Sequence, residues 1–333
     1  MNEVKAKDYS IFIGKGSLKA YDFSSYNQFA VLVDENTKRC CLPVFLKATN
    51  IDAILIEIPS GEEHKNLENC QLIWNALSSH HFDRNSLLIN LGGGVIGDMG
   101  GFAASTYKRG IDFIQIPTSL LAMADASIGG KLGIDFAYIK NQIGLFNNPK
   151  AVLINPFFLN SLPKNQLLSG FAEVVKHALI TDKYFWKEIK KTPLEKMNWK
   201  SIIYQSLMIK NDIVTQDPLE KGERKKLNFG HTFGHAIESF YLEQGKPILH
   251  GEAISLGMIL ESNLSKINKE EKQEISSFMS NTFSIPKKPP LRALLEWMKS
   301  DKKNIKEKIN ITLLNGIGSS LINQEFTVDE LLD

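Results

Sequence analysis

The chain has 333 residues and a formal net charge of +2, and 43% of its residues are hydrophobic and 23% charged. This composition is typical of a globular protein that is long enough to form two domains. The balanced charge argues against nucleic acid as a partner, and no apolar stretch is long enough to cross a bilayer. The N-terminus lacks the apolar core of a secretory signal, and the three cysteines indicate no disulfide framework, so we expect a cytoplasmic protein.

Short apolar runs rich in Ile, Leu and Val recur in the first half of the chain, as is typical of buried parallel strands. These runs cover residues 29–33, 53–58, 87–91, 113–116 and 152–154. A helical pattern over residues 66–78 lies between two of them, so strands and helices alternate along the chain. The sequence therefore predicts a Rossmann-like α/β domain over residues 1–155.

The spacing of apolar residues changes to a helical period after Pro156. Helical patterns cover residues 166–179, 199–214, 231–241, 252–267 and 291–299. A late strand-like run over residues 309–314 indicates a small additional sheet. The sequence therefore predicts a mainly α-helical domain over residues 156–333.

A glycine turn follows the strand-like run that ends at Leu91 and satisfies the pattern G-x-G-x-x-G with Gly92, Gly94 and Gly97. At the start of a helix, such a turn directs backbone N–H groups at the pyrophosphate of a dinucleotide. A tight turn between strand and helix also favours glycine for steric reasons, so the pattern by itself leaves both interpretations open. In the usual Rossmann fingerprint, an acidic residue ends the strand that follows the glycine turn. The layout here differs, because the acidic residue Asp112 begins that strand.

Further polar groups follow the next predicted strand. Thr118 and Ser119 lie at its carboxyl end, where the ligands of open α/β sheets gather. Lys131 follows two glycines, and Lys140 and Asn141 come shortly afterwards, a combination that suits a phosphate or a carboxylate. Solvent exposure is the ordinary alternative for each lysine taken alone.

Three of the seven histidines lie within twenty residues of one another. His231 and His235 are four apart, so on a helix they project from one face and could share a cation or a substrate. His250 is expected on a nearby loop, where it could complete such a site. The alternative is a pair of histidines with a structural role in the core or at a helix end.

The predicted helix around residue 173 carries Glu173, Lys176 and His177 on one face. An exposed carboxylate and ammonium one turn apart would form an ordinary surface pair. This helix is apolar nearly all round, however, which predicts burial, and buried charges require partners or a metal. Glu173 with two histidines would give the ligand set of an open catalytic zinc site, although the residues alone do not decide which histidines take part.

Several segments together, in this order, resemble the 3-dehydroquinate synthase family: the glycine turn, the Gly-Gly-Lys segment, the Glu173 helix, residues 227–236 and His250-Gly251-Glu252. The resemblance extends from about Gly61 to the C-terminus. It implies a homodimer with NAD and a divalent metal, Zn²⁺ or Co²⁺, in the cleft between an α/β and a helical domain. The expected reaction converts 3-deoxy-D-arabino-heptulosonate 7-phosphate to 3-dehydroquinate and phosphate, the second step of the shikimate pathway.

The resemblance also implies roles for individual residues. The metal ligands would be Glu173, His231 and His250, with His235 turned to the substrate. NAD would be bound by Asp34, Glu62, Lys65, Gly94, Val95, Gly97, Asp98, Thr118, Ser119, Lys131, Lys140 and Ser161. The substrate would be bound by Lys131, Asn141, Lys176, Lys210, Arg224, Asn228 and His235, with Arg109 of the partner subunit and either Lys302 or Lys303.

The sequence departs from the usual family pattern next to Lys131. Leu132 replaces a common threonine, Ala126 a frequent serine and Asp135 an asparagine, which leaves the finer substrate contacts open. Cyclases that form deoxy-inosose or valiolone products are therefore the first alternative. A metal-dependent NAD alcohol or glycerol dehydrogenase and a non-catalytic binding protein with the same scaffold are the others.

Overall fold

The structure is a computed structural model that describes residues 1–137, 139–299 and 308–332. Its packing divides the chain into two units. The first unit comprises Met1–Pro163 and Trp199–Asn211, and the second comprises Lys164–Asn198 and Asp212–Asp333. Within the described ranges, no helix combines the length and the apolar character that a membrane span requires.

The helix Trp199–Gln216 begins in the first unit and ends in the second. Its first part is held in the α/β unit by polar contacts. Lys210 Nζ lies 2.7 Å from Asp125 Oδ2, and the Asn211 side chain donates a hydrogen bond to the backbone oxygen of Lys5. Because of these contacts, the packing units differ from the single break after residue 155 that the sequence predicts.

A mostly parallel sheet forms the first unit. The strands of this unit are β1 (Asn2–Lys5), β2 (Ser10–Ile13), β3 (Gln28–Val33), β4 (Ile54–Glu57), β5 (Ser86–Gly92), β6 (Asp112–Pro117), β7 (Lys131–Phe136), β8 (Ile139–Phe146) and β9 (Ala151–Ile154). Seven of them form one sheet in the order β1-β2-β9-β6-β5-β3-β4, in which β1 is antiparallel to β2 and the other neighbours are parallel. β7 and β8 form a separate antiparallel hairpin. The predicted α/β domain is confirmed, and every strand predicted in this half is present.

Strand β5 lies inside the sheet, between β3 and β6, and all of its residues are buried. This position explains why Asn90 is the one polar residue in its run 87–91, since a strand covered on both faces has no solvent side to mark with polar residues. The edge strand β1 and the hairpin β7–β8 were not predicted. β1 has a single buried residue and β7 has three consecutive ones, so neither shows the alternation of buried and exposed residues that marks a strand in a sequence.

The first unit contains the helices α1 (Glu35–Cys40), α2 (Leu42–Thr49), α3 (Leu67–Ser79) and α4 (Gly94–Thr106). Polar side chains cap two of them, α1 and α3. Asp34 caps α1 by accepting from Thr37 N–H at 2.7 Å, and Asn66 caps α3 by accepting from Asn69 N–H at 3.1 Å. The cap at Asn66 explains why the helical pattern predicted from residue 66 starts where it does.

The second unit is mainly helical, as predicted. Its elements, including the helix shared with the first unit, are α5 (Lys164–Thr181), α6 (Lys183–Lys191), α7 (Trp199–Gln216), α8 (His231–Glu243), α9 (His250–Leu264), α10 (Lys269–Thr282), α11 (Leu291–Lys299), β10 (Ile309–Leu314), β11 (Ser320–Phe326) and α12 (Val328–Leu332). β10 and β11 form an antiparallel pair. The sequence missed α10, because only Ile275 and Met279 of this polar helix are buried.

The loop position predicted for His250 is wrong, since His250 is the first residue of α9. Leu249 is the N-cap residue, and its backbone N–H donates to the Glu252 carboxylate at 3.0 Å. This contact satisfies a backbone group at the helix start, which lies two residues before the apolar pattern that was used to place it. His250 is therefore held by regular helical backbone.

The α/β core contains a close contact between a polar strand residue and a helical glycine. Asn90 in β5 is 1% exposed, and among the described residues its side-chain amide has no hydrogen-bond partner. It lies under Gly100 of α4, where an added Cβ atom would be only 2.1 Å from Asn90 Oδ1. The strand and the helix can therefore pack at this distance only while residue 100 has no side chain.

We expect Gly100→Ala to destabilise the protein by about 1–3 kcal/mol through overpacking. The loss should be smaller in an Asn90→Ala background, because the atom that the new methyl group would meet is then absent. Thermal or urea denaturation of the wild type, both single variants and the double variant measures this coupling. An equal loss in both backgrounds would show that the Asn90 contact is not the cause.

Candidate metal centre and cofactor site

Glu173 of α5, His231 of α8 and His250 of α9 lie together in the second unit. The Nε2 atoms of His231 and His250 are 3.4 and 3.3 Å from the same oxygen, Oε1 of Glu173. One ligand atom from each of the three residues lies within 4.8 Å of the other two. Of the histidines that the sequence left open, the structure thus brings His231 and His250 to the carboxylate.

His235 lies beside this cluster on the exposed side of α8. Its ring centroid is 5.2 Å from that of His231 and 6.2 Å from that of His250. His235 does not belong to the metal-ligating group found among the described residues. An exposed imidazole at this distance can reach a molecule bound next to the cluster.

Two glycines allow the three helices to approach closely enough for these contacts. A Cβ atom at Gly251, directly after His250, would lie 2.3 Å from the Cα atom of Ser169 in α5. A Cβ atom at Gly257 would lie 2.0 Å from the carbonyl oxygen of Gly230, which precedes α8. Both distances are far below van der Waals contact, so a larger residue would push α9 away from α5 or α8.

Both histidines of the cluster are oriented through their Nδ1 atoms. His231 Nδ1 lies 3.1 Å from the carbonyl oxygen of Phe229, and His250 Nδ1 lies 3.5 Å from Glu238 Oε2. A proton on each Nδ1 would be donated to these acceptors, which leaves each Nε2 directed at Glu173. Acceptors of this kind fix the tautomer and the ring orientation of metal-binding histidines.

Glu173 uses its two oxygens for different partners. Oε1 faces the histidines, and Oε2 contacts Nζ of Lys176, which is also buried and lies one turn later on α5. Burial alone would raise the pKa of Glu173, but the charges of Lys176 and His231 hold this pKa well below its usual range. The carboxylate is therefore ionised although it is only 1% exposed.

The environments of the two histidines differ. Burial lowers the pKa of His231. Burial would also lower the pKa of His250, but contacts with the carboxylates of Glu173 and Glu238 raise it to about 10. A cation that binds here would take the place of a proton on His250 Nε2, since metal ligands bind in their deprotonated form.

The cluster has the geometry and the chemistry of a divalent metal site. Two ligand atoms at about 2.0–2.1 Å from a tetrahedral ion lie about 3.3–3.4 Å apart. The two distances from Nε2 to Glu173 Oε1, 3.4 and 3.3 Å, agree with this value. Two imidazoles and one carboxylate leave a coordination position open for water or substrate, which distinguishes catalytic from structural zinc sites.

A turn before α8 holds two of the predicted substrate residues. The carboxylate of Asp217 accepts three backbone N–H groups of this turn, that of Arg224 among them at 3.1 Å. Arg224 is buried and its Nη1 donates to the backbone oxygen of Pro218 at 2.6 Å. Asn228 Nδ2 donates to Glu220 Oε1 at 2.8 Å. The turn thus places a buried guanidinium and an amide just before His231 along the chain.

In the first unit, the glycine turn joins β5 to α4. Gly93 is the N-cap of α4 and has no side chain that could occupy the helix N-terminus. Thr118 N–H donates to the carbonyl oxygen of Gly92 at 3.0 Å, which holds the ends of β5 and β6 together. A small cavity here is lined by Gly92, Gly93, Gly94, Gly97, Gln115, Pro117, Ala122, Ala126 and Ser127. Backbone N–H groups at such a helix start suit a pyrophosphate, so the turn fits a dinucleotide.

Lys65 contacts two other residues that were predicted to bind a ligand, Asp98 and Asn141, beside α4. It is 3% exposed, and its Nζ donates to Asp98 Oδ2 and to Asn141 Oδ1, both at 2.6 Å. Burial alone would lower the pKa of Lys65, but the charges of Asp98 and Glu62 raise it, so the ammonium persists. Asp135 accepts the backbone N–H of Asn141 at 2.7 Å. The unusual aspartate therefore fixes Asn141, whose φ of 51° lies in the left-handed region.

Other predicted cofactor residues have local structural contacts. Asp34 caps α1, and Ser119 Oγ accepts the backbone N–H of Ala122 at 3.2 Å. Ser161 Oγ donates to the backbone oxygen of Phe158 at 3.1 Å. Val95 lies in the first turn of α4, next to Gly94. That these residues bind NAD remains a prediction.

The remaining predicted cations lie in several places. Lys131 begins β7 and is exposed, and Lys140 Nζ lies 3.9 Å from Glu62 Oε1. Arg109 lies in the turn after α4 with a left-handed φ of 67°. Lys302 and Lys303 lie outside the described residues.

Sequence reasoning missed several residues that support these sites. Glu238 is seven residues after His231, so it lies two turns along the same helical face, and this spacing could have indicated it. Asp125 had no such signal, because it meets Lys210 across 85 residues of sequence. Asp217 was missed because a carboxylate that binds the backbone of a turn leaves no periodic pattern.

Solved structures of several synthases share this fold. A 2-deoxy-scyllo-inosose synthase complexed with carbaglucose-6-phosphate, NAD⁺ and Co²⁺ has a TM-score of 0.86 at 22% identity, covering 99% of this chain and 97% of that one. A 2-epi-5-epi-valiolone synthase from Streptomyces hygroscopicus with NAD⁺ and Zn²⁺ has a TM-score of 0.87 at 24% identity, covering 100% and 97%. A glycerol dehydrogenase from Schizosaccharomyces pombe reaches 0.66 at 14% identity, covering 99% and 88%. The chain therefore has the fold of this class of synthases.

Sequence comparison identifies the family within this class. The model of the 3-dehydroquinate synthase N-terminal region matches residues 55–169, and that of the C-terminal region matches residues 170–304. The 3-dehydroquinate synthase of Parabacteroides distasonis is 40% identical over an alignment of 324 positions, which covers 92% of this chain and 90% of that protein. The one from Pelagibacter ubique is 37% identical over an alignment of 343 positions, which covers 96% of this chain and 93% of that protein. The chain belongs to the 3-dehydroquinate synthase family, and the resemblance seen in its motifs is confirmed.

We expect Glu238→Gln to weaken the binding of Zn²⁺ by roughly 10–100-fold, because the acceptor at His250 Nδ1 loses its charge. The dissociation constant can be measured by competition with a chromophoric chelator. Glu243→Gln, at the exposed end of the same helix, is the matched control and should bind Zn²⁺ like the wild type. Equal affinity in all three proteins would mean that Glu238 does not support the cluster.

Proposed function

We propose that this enzyme converts 3-deoxy-D-arabino-heptulosonate 7-phosphate to 3-dehydroquinate and phosphate as an NAD- and metal-dependent lyase of the shikimate pathway. The observation that carries the proposal is the cluster of Glu173, His231 and His250, in a chain whose two halves both match the family. The proposed enzyme is a cytoplasmic homodimer, in which Arg109 of the partner subunit would reach the substrate.

The proposed cofactors are NAD and Zn²⁺ or Co²⁺. NAD would supply a hydride acceptor that is regenerated within each turnover, and the metal would supply Lewis-acid polarisation of the hydroxyl to be oxidised. The fit of the glycine turn to a pyrophosphate and of the Glu173 cluster to a divalent ion supports this pair. Structures of the same fold have been solved with NAD⁺ and with Co²⁺ or Zn²⁺.

Lys176 would act on the metal centre through Glu173. Its buried ammonium keeps the carboxylate ionised and holds Oε2, so that Oε1 remains directed at His231 and His250. The same ammonium adds a positive charge beside the carboxylate of the cluster. Lys176 would therefore both orient a ligand and attract an anionic substrate.

The substrate has a carboxylate and a phosphate, and the predicted residues offer cations and amides for both. We assign this role to Lys131, Lys176, Lys210, Arg224, Asn141 and Asn228. Arg224 and Lys210 are buried and already hydrogen-bonded, so they need little rearrangement to hold an anion in place. Such preorganised charges stabilise the departing phosphate, and a phosphate oxygen of the substrate would accept the proton removed in the elimination.

Two other functions are less well supported. A cyclase for another sugar phosphate would share the metal ligands and the glycine turn, but the structures of that kind are only 22% and 24% identical to this chain. The 3-dehydroquinate synthases reach 40% identity. A glycerol dehydrogenase has a lower TM-score of 0.66. The synthase function is therefore the one best supported.

The proposal is tested with purified, Zn²⁺- or Co²⁺-loaded protein, the heptulosonate phosphate and a trace of NAD⁺. Phosphate and 3-dehydroquinate should form in large excess over NAD⁺, without net accumulation of NADH. Phosphate release only from a different sugar phosphate would replace the proposal with a sibling cyclase. Steady NADH formation from a simple polyol without phosphate release would indicate a dehydrogenase.

The two histidines of α8 should respond differently to substitution. We expect His231→Ala to lose tight metal binding, and His235→Ala to retain the metal while its kcat falls by roughly 100-fold or more. Metal content after dialysis and phosphate release under saturating substrate distinguish the two effects. A metal-free His235→Ala protein together with a metal-bound His231→Ala protein would reverse the proposed ligand assignment.

A further inference from the structure

We infer that Glu261 is a positioning residue for the proposed metal centre, which it serves by holding the first turn of the helix that carries His231. The inference rests on the proposed function, since it concerns the same cluster. Glu261 lies on α9, its side chain is 0% exposed, and none of the sequence motifs included it. A buried carboxylate needs strong partners, and three backbone N–H groups are among those of Glu261.

The carboxylate of Glu261 accepts three backbone N–H groups at the start of α8. Oε2 accepts from Gly230 at 2.5 Å, and Oε1 accepts from Thr232 at 3.0 Å and from Phe233 at 3.1 Å. The first N–H groups of a helix have no partner within the helix, and the N-cap side chain usually binds one of them. Here the N-cap is Gly230, which has no side chain, so a residue of another helix supplies the acceptor.

This contact determines the position of a metal ligand. His231 is the first residue of α8, and the N–H groups of its two neighbours, Gly230 and Thr232, both bind Glu261. The His231 ring is oriented by the carbonyl oxygen of Phe229, which belongs to the same turn. If this turn frayed, the backbone of His231 and the acceptor of its Nδ1 would both be displaced. Glu261 thus acts on the ligand through the backbone of its turn.

Helix α9 therefore supplies one proposed metal ligand, His250, and holds the turn that carries another, His231. α9 begins with His250 and carries Glu261 eleven residues later. The close approach of Gly257 to Gly230 brings these two helices together just where the carboxylate reaches the turn. The negative charge of Glu261 also complements the partial positive charge of the α8 N-terminus. Loss of that charge should loosen the metal centre more than loss of a comparable cap elsewhere.

The test compares Glu261→Gln with Asp182→Asn in the full chain. Asp182 is the matched control, because its carboxylate caps α6 by accepting two backbone N–H groups, at 2.8 and 2.9 Å, and α6 carries no proposed ligand. We measure the melting temperature of the metal-free proteins, the dissociation constant for Zn²⁺ and the visible absorption spectrum of bound Co²⁺. Wild type and His231→Ala are measured in parallel.

Both cap variants should melt at a lower temperature than the wild type. Only Glu261→Gln should bind Zn²⁺ roughly 10–100-fold more weakly and show an altered Co²⁺ spectrum, as expected for loss of a group that orients a ligand. Unchanged Zn²⁺ affinity and Co²⁺ spectrum in Glu261→Gln, with a lowered melting temperature, would overturn the inference and leave Glu261 as an ordinary cap. Equal metal affinity of wild type and His231→Ala would overturn the proposed metal centre itself.

Glu261→Asp extends the test if Glu261→Gln does not fold. The shorter side chain keeps the charge but cannot reach all three N–H groups at once, so we expect an intermediate loss of Zn²⁺ affinity. Wild-type affinity in a folded Glu261→Asp protein would count against the inference.

Discussion

The central constraint on the helical unit is the burial of the ionised carboxylate of Glu173. A charge that is almost completely removed from water must be compensated on every side. Lys176 does so at one oxygen, and His231 and His250 do so at the other. This requirement places three helices at one point, and the same arrangement of groups is what a divalent ion would need. The proposed chemistry and the packing of the unit therefore depend on one side chain.

The buried charges of both units require particular residues around them. Close helix contacts need glycine at Gly251 and Gly257, and the N-terminus of α8 needs the acceptor Glu261, since its own N-cap is a glycine. In the α/β unit the buried ammonium of Lys65 has the same effect, because it draws Asp98 and Asn141 to one place beside α4. In both units, the side chains that compensate a buried charge include side chains that we expect to bind the metal, the cofactor or the substrate.

Much of the fold could be predicted, because the elements that face the core leave a regular pattern. β5 is buried along its whole length and gave a run that is apolar except at Asn90, and α5, buried nearly all round, gave an apolar helix. Elements that touch the core at few residues were missed, as α10 shows with its two buried side chains, Ile275 and Met279. The start of α9 was misplaced because its cap depends on a contact of Glu252 with the backbone, which periodicity does not register.

The sequence by itself determined the alternation of strands and helices, the glycine turn, the presence of a carboxylate and three histidines suited to a metal, and the family. Only the tertiary structure decided that His231 and His250, rather than His235, face Glu173, and that Phe229 and Glu238 contact the two rings while Glu261 binds the turn that carries His231. The physical reason is the difference between local patterns in the sequence and contacts between residues that are far apart in it. Periodicity records which side of one element is buried, whereas these choices depend on the approach of three helices whose contacting residues are up to 77 positions apart.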